Sequence, residues 1–121
     1  MARGARKEGL PRRHRFVGRG GFSAALRSPR KLRAARSILH VAAGHAVQSR
    51  LGVSLPKKMA PRSVDRNRLK RLAREIFRRH EVKHAGLDLV LTMRQRFEVA
   101  QEGEWADELR KLLDRARTPG P

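Results

Sequence analysis

Residues 65–79 carry the side chains best suited to chemistry, and that chemistry is the binding of phosphate groups. The run reads DRNRLKRLAREIFRR, so most positions that are not apolar are cationic. A guanidinium can donate paired hydrogen bonds to phosphate oxygens, and an asparagine can reach a sugar or a base edge. At about 100° per residue, six side chains are predicted to share one helical band that contains no acid: Arg66, Asn67, Lys70, Arg71, Arg74 and Arg78. Solvated faces normally mix both signs, so the pattern favours phosphate contacts.

A second motif, at residues 80–84, reads HEVKH and matches the His-Glu-x-x-His pattern of zinc proteases. That chemistry needs two histidines one turn apart on a helix, a general-base glutamate, a third ligand and a buried cleft. Here the motif falls at the end of the basic helix, Lys83 places a cation beside the metal position, and no third ligand follows at the expected spacing. We interpret it as a chance match and predict no metal site in the protein.

Other catalytic groups are missing from the sequence. The chain has no Cys, which excludes a thiol nucleophile, a disulfide and a thiolate metal site. No glycine-rich loop has the spacing of a nucleotide-binding site. The carboxylates cluster near the C-terminus, where Asp107, Glu108 and Asp114 are interpreted as a solvated helix face. The sequence therefore predicts a protein that supplies affinity and no catalytic residue.

The overall charge indicates a polyanionic partner. The 121 residues include 30 Lys and Arg against 11 Asp and Glu, a formal net charge of +19. Such self-repulsion is relieved by a polyanion, and nucleic acid is the usual one. The excess lies in residues 1–36 and 57–79, whereas residues 80–121 are close to neutral. Two basic segments predict two contact regions.

The same sequence argues for a cytoplasmic location. No apolar run approaches the roughly 18 residues that a transmembrane helix needs. The basic N-terminus is not followed by the apolar stretch of a secretory signal. We predict a flexible basic arm at 1–14, one RNA-binding domain at 15–117 and a disordered tail at 118–121.

A small α+β domain must position these groups, with elements in the order helix, strand, strand, helix, strand, helix. Leu51, Val53 and Leu55 alternate with small polar positions, which predicts a half-buried strand at 50–55. The near-continuous apolar run 87–93 predicts a central strand. The other predicted elements are a short helix at 22–26, a strand at 37–42, the basic helix from Ser63 or Asp65 to about His80, and a last helix from Glu104 to about Ala116.

In this setting the basic helix resembles the signature of the bacterial ribonuclease P protein family. The resemblance is carried by RNRLKR at 66–71, followed by Arg74-Glu75 and Phe77-Arg78. It extends to RLGVSLPKK at 50–58 and GLDLVL at 86–91, and upstream to Arg15-Phe16 and the pair Phe22 and Leu26. It covers roughly residues 15–115.

The resemblance implies a function in RNA processing. In this family the RNA subunit is the catalyst that removes the 5′ leader of precursor tRNA, and the protein assists it. The implied partners are ribonuclease P RNA and precursor tRNA, with no membrane and no obligate protein partner. Mg²⁺ is expected to be bound mainly by the RNA, and no organic cofactor is expected. The resemblance also implies a mixed sheet with a left-handed βαβ crossover around the basic helix, against the usual right-handed rule.

The contacts that the resemblance implies fall into two groups. Those to the RNA subunit are Arg66, Asn67, Arg68, Lys70, Arg71 and Arg74, with Lys57 and Lys58 nearby. Those to the single-stranded leader are Phe22, Leu26 and His40, with Arg36 as a phosphate contact. Family members often have aromatic residues where this chain has Leu26 and His40, and an aromatic ring stacks on a base for roughly 1–3 kcal/mol.

Three other functions compete with this interpretation. A ribosomal protein or a nucleoid-type DNA-binding protein has a similar composition, but the Arg-Asn-Arg helix with its flanking strands disfavours both. A protein-only nuclease or a zinc hydrolase would cleave without added RNA or retain a metal through dialysis. A cationic membrane-surface protein would lay the basic helix on anionic lipid, but the apolar face of that helix is needed for the core.

Overall fold

A four-stranded mixed sheet forms the centre of the fold in a computed structural model, which describes residues 25–44 and 47–118. Its strands are β1 (Arg30–Arg33), β2 (Ser37–Ala43), β3 (Arg50–Val53) and β4 (Leu87–Met93), in the order β1-β2-β4-β3. β2 is antiparallel to both β1 and β4, whereas β3 runs parallel to β4. The two central strands are the most apolar because both of their faces are covered.

Two helices cover one face of this sheet. They are α1 (Ser63–Arg78) and α2 (Glu102–Arg117), and two short 3₁₀ turns lie at Glu81–His84 and Val99–Gln101. The apolar stripe of α1 repeats at helical spacing, so Leu69, Ala73, Ile76 and Phe77 are buried together. They pack against the apolar stripe of α2, which begins with Trp105. Both stripes lie on the inner face of the sheet and form one hydrophobic core with it.

The fold class predicted from the sequence is confirmed, and so is the crossover in the mixed sheet. β3 and β4 are parallel neighbours, and α1 connects them as the helix of a βαβ unit. The left-handed sense of this crossover stays a prediction. Among the described residues, neither α-helix combines the length and the apolar character needed to cross a bilayer.

The sequence did not predict strand β1. Its four residues, RKLR, lack an alternating apolar pattern, and the strand forms because its backbone pairs with β2. β1 lies at the edge of the sheet, where lysine and arginine discourage pairing with another chain. The sheet therefore has four strands instead of three, and its edge strand β1 carries three cations.

The other boundaries differ by a few residues from the predicted ones. β3 ends at Val53 and not at Leu55, although the Ser54 amide still donates to the Leu91 carbonyl at 2.9 Å. Pro56 has no amide hydrogen with which to extend the pairing. α1 ends at Arg78, and α2 begins two residues before the predicted Glu104.

Some predictions fall on parts of the chain outside the described residues. These are the basic arm at 1–14, Arg15-Phe16, Phe22 in the predicted first helix, and the tail after Thr118. Ala25 and Leu26, the last residues of that helix, are helical.

Candidate nucleic-acid interface

The outward side of α1 carries four of the residues predicted to contact RNA. Leu69 and Ala73 face the core. Helical spacing therefore places four polar side chains on the flanks of the helix or on the side away from the core: Asn67, Lys70, Arg71 and Arg74. Asn67 and Arg71 are exposed, and Lys70 and Arg74 are half-buried. No acid separates these four in the outward band, so the helix presents a continuous row of donors.

The end of this row is different, because Glu75 pairs there with two arginines. Arg78 Nε lies 3.1 Å from Glu75 Oε1, and Arg79 Nε lies 2.6 Å from Glu75 Oε2. The Arg78 hydrogen bond, helped by Arg79 and partly opposed by desolvation, lowers the pKa of the Glu75 carboxyl. The acid-free row of the helix therefore ends at Arg74, and Arg78 is engaged within the helix.

The prediction that Arg66 shares the outward band is wrong. Arg66 lies three residues before Leu69 and seven before Ala73, so it is on the same side as these buried residues. Its Nη1 donates to the carbonyls of Ala60 and Pro61, at 2.9 Å each. Arg66 thus faces the loop that leads into α1, and helical spacing from the buried residues already indicated this.

Arg68 is exposed but has a carboxylate partner on the other helix. Its side chain is 62% exposed, and its Nε lies 2.9 Å from Glu102 Oε1 at the start of α2. The pair links the first turns of the two helices. A phosphate that binds Arg68 must therefore compete with Glu102.

Lys57 and Lys58 lie in the turn immediately before α1, and both are exposed. The amides of Met59 and Ala60 donate to the Pro56 carbonyl at 2.9 and 3.0 Å, which closes this turn. Because the turn runs into the exposed Arg62 and then into α1, the two lysines extend the cationic row of the helix. The binding of the RNA subunit by these residues stays a prediction; the structure shows Lys57, Lys58, Asn67, Arg68 and Arg71 exposed and Arg66 turned towards the loop.

His40 lies on the opposite face of the sheet from the helices. Leu39 and Val41 enter the core under the helices, so the residue between them points the other way. The side chain is buried, with 7% of the residue exposed, and its Nε2 is 3.1 Å from Thr92 Oγ1. Burial, and then the positive charges of Lys31 and Arg33, lower the pKa of the His40 imidazole.

Two cations that the sequence analysis missed share this face. Lys31 is paired directly with His40 across β1 and β2, and Arg33 is paired with Ile38. Paired residues of an antiparallel ladder point to the same face, so both cations flank the histidine. Leu26 is half-buried just before β1. The missing signal was β1 itself, which has no sequence pattern of its own.

Arg36 does not join the His40 face. Its backbone amide donates to Glu108 Oε1 at 3.1 Å, its Nη1 also bonds the Glu108 carboxylate, and its Nη2 lies 3.2 Å from Glu104 Oε1. Its side chain is only 20% exposed. Both carboxylates are on α2, so the Arg36 side chain is held away from His40. Its charge is paired within the protein.

The HEVKH motif has a structural role. His80 is the N-cap of the 3₁₀ turn, and its Nδ1 accepts from the Val82 amide at 2.9 Å. Its Nε2 bonds Asp114 of α2 at 2.6 Å. Both ring nitrogens are therefore used within the chain, and the two histidines do not stand one α-helical turn apart. In the described ranges, 25–44 and 47–118, no three His, Asp or Glu side chains are grouped to hold a metal ion.

The interpretation of the α2 acids as a solvated face holds for Asp107 and Asp114, whose side chains are each 69% exposed, but is wrong for Glu108, which is only 17% exposed. Glu108 pairs with Arg36, and Asp114 pairs with His80. Asp107 fits the prediction, since it is exposed and bonds only Arg110 on its own helix. The acids of α2 therefore hold elements together by pairing with cations that would otherwise face solvent.

Comparison with known proteins gives one consistent result. The family model described as Ribonuclease P matches residues 10–117. The ribonuclease P protein component of Stutzerimonas stutzeri (strain A1501) is 35% identical over 113 residues, covering 92% of this chain and 86% of the relative. That of Thioalkalivibrio sulfidiphilus (strain HL-EbGR7) is 38% identical over 87 residues, covering 72% of each.

Solved structures show the same relationship. The RNase P protein from Thermotoga maritima in complex with 1-(4-fluorophenyl)-2-thiourea matches with a TM-score of 0.66 at 27% identity, over 88% of this chain and 100% of that chain. The Staphylococcus aureus RNase P protein at 2.0 Å has a TM-score of 0.63 at 20% identity, over 85% and 91%. The second likeness shows the shared fold alone.

Proposed function

The chain belongs to the ribonuclease P protein family, and from that premise we propose that its two cationic faces bind two different RNAs. It is the protein subunit of a ribonucleoprotein endoribonuclease whose partner is ribonuclease P RNA. The enzyme removes the 5′ leader of precursor tRNA. We assign the two faces in this way because the cationic row of α1 lies on one side of the sheet, whereas His40 and its two neighbouring cations lie on the other.

The α1 row binds the RNA subunit through its phosphodiester backbone. Asn67, Lys70, Arg71 and Arg74 supply the donors, and Lys57 and Lys58 extend the row at its start. Arg68 joins when a phosphate displaces Glu102. Neutralised phosphates release counterions, so this face supplies most of the affinity and makes it depend on salt.

The opposite face binds the single-stranded leader. His40 offers a neutral ring edge, and Lys31 and Arg33 take the phosphate role that the sequence analysis gave to Arg36. Leu26 is proposed as a further contact. Leucine packs against a base but cannot stack as an aromatic ring does, so this face contributes less affinity than an aromatic one. Phe22 is proposed as a further contact.

The catalytic groups belong to the RNA, as does the Mg²⁺ that the reaction uses. The described residues do not fit a Mg²⁺ site, since this ion needs oxygen ligands and Asp88, Glu108 and Asp114 are engaged in ion pairs. The protein's part is to hold substrate and RNA together and to reduce phosphate repulsion, in the cytoplasm, without an obligate protein partner.

Cleavage of precursor tRNA at low Mg²⁺ tests this function. A bacterial ribonuclease P RNA should cleave poorly alone, and the protein should restore cleavage while being inert without RNA. The Lys70→Gln/Arg71→Gln variant should lose most of this stimulation. If the protein binds other nucleic acids tightly but never assists the RNA, it is a general basic RNA- or DNA-binding protein.

A further inference from the structure

We propose that the loop at 57–62 and the segment at 94–97 form one preorganised cationic surface for the RNA subunit, and that Arg66 positions this surface. The inference rests on the proposed function, because it assumes that the RNA subunit is the partner. It adds two contacts that neither the sequence nor the α1 row indicated, Arg94 and Arg96. It also changes the role of Arg66 from a phosphate contact to a positioning residue.

Three consecutive carbonyls of the loop accept hydrogen bonds from outside it. The Met59 carbonyl accepts from the Phe97 amide at 2.7 Å. The next two, of Ala60 and Pro61, accept from Arg66 Nη1 at 2.9 Å each. Ala60 is also buried against the core side of the loop. The loop is therefore held from the 94–97 segment on one side and from α1 on the other.

The 94–97 segment is itself anchored to the sheet. The Arg94 amide donates to the Arg36 carbonyl at 2.8 Å, and Arg94 Nη1 donates to the Ala34 carbonyl at 2.7 Å. These bonds fix the segment to the turn between β1 and β2. Since Phe97 then joins the segment to the loop, both stretches of chain belong to one connected surface.

This surface presents five exposed cations: Lys57, Lys58, Arg62, Arg94 and Arg96. Within the ranges that the structure describes, Lys57, Lys58 and Arg96 have no carboxylate partner, and the Arg62–Asp65 pair is long at 3.9 Å. Arg110 on α2 differs, because it pairs with Asp107 of the same helix. A polyanion is the partner that such uncompensated charge fits.

The RNA subunit is favoured as that polyanion because the 57–62 loop leads directly into α1, the helix that carries the row. Ordering a loop in advance reduces the conformational entropy lost on binding. The hydrogen bonds from Arg66 thus raise the affinity that Lys57 and Lys58 provide, although the Arg66 guanidinium is turned towards the protein.

The first test measures binding of the full-length protein to ribonuclease P RNA at several salt concentrations. Arg94→Gln/Arg96→Gln should reduce the slope of log K against log salt by about 2, one for each phosphate contact. Arg96→Gln alone, which removes no hydrogen bond of the fold, should reduce it by about 1. The matched control Lys111→Gln/Arg117→Gln removes two exposed charges of α2 and should leave the slope unchanged.

The second test is a double-mutant cycle for Arg66. Arg66→Ala should weaken RNA binding strongly in the wild-type chain and little when Lys57 and Lys58 are already glutamine, because its effect passes through them. Its effect should add independently to Lys70→Gln/Arg71→Gln. Arg66→Lys, which keeps the charge but not the planar fork, should restore little. Thermal unfolding of each variant checks that the fold is intact.

The outcomes separate this inference from the proposed function. If wild-type protein neither binds nor assists the RNA, both fall. If it does both, and Arg96→Gln behaves like the α2 control, the 94–97 segment is no part of the interface and the inference is overturned alone. If Arg66→Ala lowers the salt slope equally with and without the two lysines, Arg66 contacts phosphate itself and the positioning role is overturned.

Discussion

His40 shows how burial decides what one side chain can offer to a ligand. Its ring lies in a sheet face with Thr92 on one nitrogen and two cations alongside. Burial, and then the two cations, disfavour the charged imidazolium and lower the pKa of His40, so the folded protein presents a neutral ring. A neutral ring can pack on a base without burying a charge, which suits the role proposed for this face.

This arrangement predicts a loss of stability on mild acidification. Because the pKa of His40 is lowered below its usual value of 6.5, the unfolded chain binds the proton more readily than the folded one. The free energy of unfolding should therefore decrease as pH falls from about 6.5 towards the lower pKa of the folded state.

Urea unfolding of wild type and His40→Phe at several pH values between about 5 and 8 measures the effect, since other titrating groups are shared. The stability of wild type relative to the variant should be constant above the usual imidazole pKa and fall below it. Parallel pH profiles would show that His40 is not the group responsible.

At the scale of elements, an ion pair between the two helices also sets how much positive charge α1 can offer. Arg68 of α1 pairs with Glu102 of α2, and the acid-rich first turns of α2 also engage Arg36. Acids near a helix N-terminus are favoured by the helix dipole as well. Glu102 thus offsets one cation of the proposed RNA-binding face from the neighbouring helix.

Replacing Glu102 should strengthen RNA binding. Glu102→Gln releases Arg68, and an exposed pair is worth roughly 0.2–1 kcal/mol, so affinity for the RNA subunit should rise by about 1.5- to 5-fold. Filter binding at constant salt measures this change. Asp107→Gln, which removes an acid paired only within α2, is the control. Equal effects of the two variants would mean that only net charge matters.

The close backbone approach between the end of β2 and the start of β4 imposes a second constraint at this scale. The Gly44 amide donates to the Gly86 carbonyl at 2.9 Å, and a Cβ on Gly44 would lie only 2.6 Å from that oxygen. A side chain at Gly44 would therefore push the backbone segments of Gly44 and Gly86 apart. Gly103, in the first turn of α2, has nothing within 4 Å of the same position.

These two glycines should therefore respond oppositely to alanine. Gly44→Ala should lower the free energy of unfolding by roughly 1–3 kcal/mol, as overpacking does. Gly103→Ala should raise it by about 0.5–1 kcal/mol, because alanine loses less backbone freedom in a helix. Chemical denaturation of both variants measures the pair. A Gly44→Ala protein as stable as the wild type would show that the backbone at Gly44 and Gly86 can move apart without loss of stability.

At the scale of the whole molecule, the sheet separates two basic faces that the sequence presents as one excess of charge. α1 and the 57–62 loop lie on one side, and Lys31, Arg33 and His40 lie on the other. A net charge of +19 alone would predict nonspecific attraction to any polyanion. The division allows one protein to contact its RNA subunit and a substrate strand together.

Variants on the two faces should have separable effects. Lys70→Gln/Arg71→Gln should weaken binding to ribonuclease P RNA and reduce the salt slope by about 2. Lys31→Gln/Arg33→Gln should leave that binding intact and should instead remove the gain in precursor-tRNA affinity that a longer leader gives. Affinity measured against leader length distinguishes them. If both variants lose the same property, the two faces do not have separate ligands.

Much of the fold was predictable because its signals are local. The 3.6-residue apolar repeat of α1 and the apolar run of β4 each specify an element and a buried face within a few turns of chain. Net charge and the missing catalytic groups restricted the function to binding, and the RNRLKR helix in its context indicated the family. These features depend on neighbouring residues, so the sequence by itself determined them.

The tertiary structure decided which cations remain available to a ligand. Arg68 finds Glu102, Arg36 finds Glu104 and Glu108, and His80 finds Asp114, across 34 to 72 positions in sequence. β1 exists only because β2 offers its backbone, and it brings Lys31 and Arg33 beside His40. Such pairings follow from packing between distant elements, and no local pattern encodes them. The sequence therefore determined that the protein is suited to a polyanion, and the packing determined which cations are left exposed to it.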